Sequence, residues 1–301
     1  MKNVTVVGSL AIDNIISTGV IPNAGETVFG TSFDTAFGGK GANQTVALGR
    51  LGARPFMVGA VGNDSNGKAI IENLKKNQIN LDFVGTVPQA TGTAHIILYD
   101  DDNRIIVVPS ANNEVTLDNL KDDFWSLLKD SELVILQNEI PQVTNEAIIN
   151  YCYEHHVNVL LNPAPARKIS EELIEKITYL TPNEHELSIL FPHLTREAAL
   201  AKYPQKLVVT LGSKGVYFHD GKHEILVPAF KVKPTDTTGA GDTFNGAFAY
   251  AILKHLDLKN AIKFGNLAAS ISVQGFGAQG GMPTLEKMKE SEFYEKTWHF
   301  E

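Results

Sequence analysis

The chain begins with Val4-Thr5-Val6-Val7-Gly8, a β-branched run closed by glycine, which predicts a buried first strand. Residues 14–38 lack helical periodicity. Pro22, Gly25, Gly30 and β-favouring pieces such as Thr27-Val28-Phe29 predict short strands that leave the main layer. Ala47, Leu48 and Leu51 then fall at helical spacing up to Gly52, and Phe56–Val61 reads as a strand. Asp64 is placed to N-cap a helix with Ile70, Ile71 and Leu74 on one side and Lys75-Lys76 at its end, as the helix dipole prefers. Thr93–Tyr99 and Arg104–Val108 form a hairpin pattern around Asp100-Asp101-Asp102-Asn103. That acidic turn lacks the spacing of a calcium loop and reads as solvated.

From residue 115 the pattern alternates. Helix-like 116–129 precedes strand Leu133–Leu136, and helix-like 142–156 precedes strand Val157–Leu161. A helix around 170–176 precedes Tyr179–Leu180, strand Leu207–Thr210 follows, and helices 258–274 and 284–297 close the chain. Strands alternating with helices predict an α/β fold: a doubly wound, mostly parallel sheet with helices on both faces. The expected strands end in polar punctuation: Asp13 beyond the first, Gln137-Asn138-Glu139, Asn162-Pro163, Thr181-Pro182-Asn183-Glu184-His185-Glu186, and Leu211-Gly212-Ser213-Lys214-Gly215. In a doubly wound sheet these ends share one edge, where ligands bind.

Composition narrows the function. At 301 residues and 43% hydrophobic, the chain suffices for one large α/β domain. The formal net charge of −8 and the lack of a basic run argue against nucleic acid. No apolar run approaches the ~18 residues of a membrane span, and the first apolar stretch is too short for a signal-peptide core. Cys152, the lone cysteine, reads as a packing residue and fits a reducing compartment. A soluble, cytoplasmic protein is expected. His155-His156 do not share a helix face, and Ser9, Ser110 and Ser213 have no hydrolase elbow around them.

The stretch with the most definite chemistry is Asp236-Thr237-Thr238-Gly239-Ala240-Gly241-Asp242, followed by Phe244, Ala247, Phe248, Ala251 and Ile252 on one helical face. Amides at a helix start lack internal partners and carry the positive end of the dipole, and glycines let a phosphate approach them. Residues 239–242 thus form a candidate anion hole. A carboxylate on its rim repels phosphate, so its use is to accept a proton from an attacking hydroxyl. An ordinary turn with a plain first-turn acid is the alternative. A second helix start, Gly38-Gly39-Lys40-Gly41-Ala42-Asn43-Gln44, combines close backbone approach with the donors Lys40 and Asn43. Gln274–Gly281 holds four glycines in eight residues, a loop suited to passing over an adenine or ligating a monovalent cation; a flexible connector is the alternative.

These motifs, with Gly49-Arg50-Leu51-Gly52-Ala53, Asn162-Pro163-Ala164-Pro165-Ala166-Arg167 and Thr210–Gly215, resemble the ribokinase-type (phosphofructokinase-B) sugar kinases over nearly the whole chain, in order and spacing. The resemblance implies a single α/β domain with a β-sheet lid, formed by about 14–38 and 93–108, that also serves as a homodimer surface. It implies ATP-dependent phosphorylation of a sugar's primary hydroxyl. By position, Asp242 is the base and Gly239, Ala240 and Gly241 the anion hole. Ala11, Asp13, Gly39, Lys40, Gly41, Ala42, Asn43 and Glu139 line the sugar site. Asn183, Thr210, Leu211, Gly212, Ser213, Lys214, Gly215, Gly241 and Asn266 meet ATP. Glu186 is tied to magnesium, and Asp236, Thr238, Ser272, Gly275, Gly277 and Gly281 to potassium.

Two positions depart from the family pattern. Ala11 stands where an asparagine is usual, and alanine cannot hydrogen-bond a hydroxyl, so deoxyribose, another sugar or a nucleoside stands beside D-ribose as acceptor. Gly281 stands where a serine is frequent. The rival from another class is a sugar-binding regulator without turnover, against which the intact Gly239–Asp242 stretch argues.

Overall fold

A computed structural model describes residues 3–100 and 102–298, so Asp101 of the expected acidic turn lies outside the described residues. The order opens with β1 (Asn3–Val7), β2 (Ala11–Thr18), β3 (Gly30–Gly38), α1 (Lys40–Arg50), β4 (Phe56–Gly62), α2 (Ser65–Lys76) and β5 (Asn80–Val87). β6 (Gly92–Tyr99), β7 (Asp102–Val108), α3 (Phe124–Lys129), β8 (Ser131–Gln137), α4 (Gln142–Glu154), β9 (Asn158–Asn162), α5 (Glu171–Lys176) and β10 (Tyr179–Leu180) follow. The chain continues through α6 (Glu184–Leu190), α7 (Arg196–Lys202), β11 (Val208–Thr210), β12 (Val216–His219), β13 (Glu224–Val227), α8 (Ala240–Leu253), α9 (Leu258–Ser272) and α10 (Leu285–Lys289).

The main sheet runs β10-β9-β8-β1-β4-β5, every pair parallel. Its strands are continuous apolar runs because both faces are covered. In β8, Leu133 and Ile135 enter one core with α1, α8 and α9, while Val134 and Leu136 enter another with α3 and α4. Isolated parallel bridges Leu180↔Leu207 and Asn183↔Thr210 bring β11 alongside β10, and β12 and β13 continue antiparallel. The register Val7↔Leu136, Gln137↔Asn162 and Leu161↔Leu180 sets the carboxyl ends of four strands in one row. The expected gathering of polar strand ends follows from it.

The strands expected to leave the main layer form a second sheet, β3-β2-β6-β7, in which β2 and β6 are parallel and the outer pairs antiparallel. It begins at Ala11 and Gly92, earlier than the sequence pattern suggests, so Asp13 lies inside a strand. Thr27-Val28-Phe29 forms no strand; Gly25 turns the chain at φ 80° and Phe29 is exposed. Helix-like 116–129 resolves into a short 3-10 turn at Leu117–Asn119 and then α3, with Leu120 extended between them.

The predicted 284–297 helix stops at Lys289. There the Ser291 hydroxyl accepts the Phe293 amide, a local alternative to the helix, and Tyr294 and Trp298 fold edge-on into an aromatic cluster with Phe264 of α9. The Asp64 cap forms as expected, accepting from the Gly67 amide at 2.8 Å.

Candidate active site

α1 and α8 cross closely because residue 246 has no side chain: a Cβ there would lie 2.6 Å from that of Ala47 and 2.8 Å from the Gln44 carbonyl. This approach carries the first turn of α8 to that of α1. Asp242, third residue of α8, is buried there, and both its oxygens are engaged. Asn43 Nδ2 donates to Oδ2 at 2.9 Å and Gln44 Nε2 to Oδ1 at 3.0 Å. Each carboxylate oxygen keeps a lone pair for a further donor. Gly239 caps the helix in the left-handed region (φ 75°). Of the expected anion-hole amides, that of Ala240 already donates to the Thr237 carbonyl at 3.2 Å.

A cluster of acids faces this turn. Glu139, after β8, holds the start of α1: its Oε2 accepts from the Ser9 hydroxyl and from the Lys40 amide at 3.0 Å. Asp13 of β2 lies over Gly38 of the neighbouring strand. Burial, then the nearby Glu139 and Asp242 carboxylates, push its pKa up to about 6, against the pull of Lys40. Burial opposes the Lys40 ammonium, but Asp242, Glu139, Glu186 and Asp13 outweigh it, so its pKa is raised and it stays charged. Ala11 is buried between Gly38 and Gly92 and brings no polar atom. Ala42, expected at the sugar, packs into the core instead, its amide held by the Ser9 carbonyl at 2.9 Å.

On the other side of the turn lies a cavity of about 670 Å³ whose lining includes Asn183, Thr210, Gly212, Ser213, Gly215 and Asn266, with Ala240 and Gly241. The expected nucleotide contacts Leu211 and Lys214 do not line it: Leu211 is buried, and Lys214 is exposed on its 3-10 turn. Asn266 fixes the cavity wall, donating to the carbonyls of Val227 and Pro228. Thus a buried carboxylate stands among the charges of Asp13, Lys40 and Glu139, on a turn whose Ala240 and Gly241 line a cavity of nucleotide size.

Comparison with known proteins gives this arrangement its lineage. Residues 1–285 match the family model described as pfkB family carbohydrate kinase. The chain belongs to the pfkB family of carbohydrate kinases. It is similar to the ribokinase of Lactococcus lactis (53% identity over 96% of each chain). It is also similar to that of Bacillus subtilis (50% identity, over 96% of this chain and 99% of the relative). Among solved structures, Arabidopsis thaliana ribokinase complexed with ribose and ATP superposes with a TM-score of 0.88 at 33% identity, over 100% of this chain and 99% of that one.

In this kinase Glu186 first serves as a helix cap. Its oxygens accept from the Asn183 amide (2.9 Å) and side chain (3.0 Å), while Asn183 accepts from the Glu186 amide. Burial raises its pKa. One carboxylate, bonded to the cavity-lining Asn183, fits a magnesium ion held mostly by phosphate oxygens and water. No cluster of three or more His, Cys, Asp or Glu suited to a metal occurs among the described residues.

The residues expected at a monovalent cation fall into two hydrogen-bonded sets. Asp236 accepts from the amides of Thr238 and Gly277, and Ser272 O accepts from the Gly275 amide. A Cβ on Gly281 would lie 1.9 Å from Ser272 O, so glycine replaces the frequent serine there for want of space.

Several pairings at the site carry no signal in the sequence. Ser9 holds Glu139, and Gln44 holds Asp242. Asn112 pairs with Leu10 through both amide atoms, steadying the crossing between β1 and β2. Gln279 donates to Asn43 Oδ1 at 2.9 Å, tying the glycine-rich loop to α1. All act across long sequence separations, where no spacing rule applies.

Proposed function

We propose that the protein transfers the γ-phosphoryl group of ATP to the 5-hydroxyl of a pentose, D-ribose foremost. The observation that carries this reading is the position of Asp242: a buried carboxylate at the first turn of α8, near Asp13, Lys40 and Glu139, with Ala240 and Gly241 of the same turn lining the 670 Å³ cavity. The sugar lies under the second sheet, its hydroxyls met by Asp13, Lys40, Asn43 and the free oxygen of Glu139. Asp242 accepts the 5-hydroxyl proton as that oxygen attacks phosphorus. The first-turn amides of α8, at Gly239, Gly241 and Asp242, face the charge that develops on the transferred group.

Asn183, Thr210, Gly212, Ser213 and Gly215 hold the nucleotide, with Asn266 nearer the base. Magnesium, with Glu186 as its protein carboxylate, supplies positive charge at the phosphates. Potassium, held by Asp236, Thr238, Ser272, Gly275, Gly277 and Gly281, orders the loop beside the anion hole. The exposed apolar residues of the second sheet, among them Phe33, Ile106 and Val108, support pairing of two copies there. No helix among the described residues is long and apolar enough to cross a membrane. The cytoplasm is the proposed location of the enzyme.

Ala11 favours a second reading in which deoxyribose is the better acceptor. A coupled ATP assay over ribose, deoxyribose, other pentoses and nucleosides tests both. Ribose-dependent turnover is expected, and Ala11→Asn should raise the ribose-to-deoxyribose ratio. Ligand-induced thermal stabilisation without turnover on any sugar would replace the kinase by a sugar-binding regulator.

A further inference from the structure

Asn162 and Thr181, the first residues of the Asn162-Pro163 and Thr181-Pro182 motifs, do not line the 670 Å³ cavity; they bond toward the first turn of α8. Gln44 Nε2, donor to Asp242, also reaches Asn162 Oδ1 at 3.1 Å. Asn162 Nδ2 donates to the Thr181 carbonyl at 3.1 Å, and the Thr181 hydroxyl donates to Asn245 Oδ1 at 2.6 Å. Asn245 Nδ2 donates to the Gly241 carbonyl at 2.8 Å. Gly241 is bonded to Asp242, so the ring closes on the turn where it began. On its outer side Gln137 Nε2 donates to Gln44 Oε1 at 2.8 Å. The side chains are almost inaccessible: Gln44 0%, Thr181 1%, Asn245 2%, Asn162 and Asp242 7%.

Two physical consequences follow. A neutral amide orients a carboxylate without delivering a proton to it, so Gln44 fixes Asp242 while leaving it a base. The peptide group is planar and trans, so holding the Gly241 carbonyl also fixes the opposed N–H of Asp242. One ring thereby sets both the proton acceptor and an amide of the anion hole. Networks of this kind are rigid when every member is satisfied; the ring's own side chains are, while Gln137 Oε1 outside it is buried without a partner.

Building on the kinase reading above, we propose that Gln44 is a positioning residue for phosphoryl transfer, acting on Asp242 through a closed ring with Asn162, Thr181, Asn245 and the Gly241 carbonyl.

The test compares Gln44→Leu, Thr181→Val and Asp242→Asn, singly and combined, in the full-length enzyme with ribose and ATP. Gln44→Leu is expected to lower kcat by some tens of fold, as small misplacements do, with both KM values nearly unchanged. Thr181→Val, which cuts the ring far from the carboxylate, should lower kcat several-fold. In the Asp242→Asn background the Gln44→Leu loss should shrink to a few-fold, because only the anion-hole amide is then left to misplace. The proposal is overturned if Gln44→Leu keeps kcat within about twofold of wild type, or if its loss persists in full without the carboxylate. Should Gln44→Leu fail to fold, the Thr181→Val and Asp242→Asn pair decides the same question. Near-normal kcat in Asp242→Asn alone would instead remove the kinase mechanism on which the proposal rests.

Discussion

Asn43 and Asp242, 199 positions apart, share a 2.9 Å hydrogen bond in which the amide donates to the carboxylate. With Gln44 it makes the site of the proposed base one that expects two accepting oxygens. Asparagine at 242 offers one oxygen and one NH2, so one of the two donors then faces another donor. Asp242→Asn should cost about 1–3 kcal/mol of stability. It should lower kcat by about 10²–10⁴, as loss of a general base does. Nucleotide affinity should hold, because the cavity wall is built from other residues. Steady-state kinetics with calorimetric ATP titration checks this; near-normal turnover would refute the assignment.

Asp13 links function to pH. Its folded-state pKa is raised from 3.8 to about 6, so folding favours its protonated form. The stability that this protonation contributes is complete below the unfolded value of 3.8 and lost as pH rises through about 6. Asp13→Asn should therefore raise Tm at pH 8, by an amount worth at most about 3 kcal/mol, with the gain fading toward pH 4. In the wild type, KM for the sugar should climb as pH falls below about 6 and the carboxylate is lost. Melting curves and sugar titrations at several pH values read both effects, and a Tm gain that is the same at pH 4 and 8 would contradict the first.

The two glycines of the phosphate turn should behave differently. A Cβ on Gly241 would meet nothing within 4 Å, whereas one on Gly239 (φ 75°) would lie 2.5 Å from the Ala278 carbonyl. Gly241→Ala is expected to melt close to wild type yet lose most of its kcat, since the methyl fills the space a phosphate needs. Gly239→Ala should lower Tm outright through backbone strain. Equal melting points for the two variants would contradict this.

Asp236 offers a separate check on the glycine-rich loop. Exchanging a bulky organic cation for potassium at fixed ionic strength should raise wild-type turnover several-fold, an effect typical of coupled sites. Asp236→Ala, with the Thr238 and Gly277 amides released, should be slow and indifferent to potassium. Undiminished activation in that variant would exclude the proposed cation ligand.

Much of this is legible in the sequence where one physical rule acts over a short span. Two-sided burial makes β8 a continuous apolar run, and the Asp64 cap needs only the Gly67 amide three residues on. The first turn of α8 is legible because glycines and an acid at a helix start have few uses. The rest depends on separations that no period reports. Nothing in the sequence pairs Thr181 with Asn245, or Gln279 with Asn43. The closing helix is shorter than its pattern because the residues past Lys289 still favour helix, whereas Ser291 and the aromatic cluster decide in three dimensions. Lys214 is expected to meet ATP as part of the 210–215 stretch, but its 3-10 turn leaves it exposed and outside the cavity lining.

The β11–β13 extension meets the main sheet through two isolated bridges at its β10 edge, and the second sheet follows the end of β1, where Asn112 holds Leu10. In the proposed function the second sheet brings Ala11 and Asp13 to the alcohol and β11 and β12 bring Thr210 and Val216 to the nucleotide cavity, while Lys40, Asn43, Glu139 and Asp242 stay on the common chassis. Descendants of such a chain can adopt a new alcohol by remodelling one appendage while inheriting the other intact, and an engineer can graft either one without rebuilding the machinery between them.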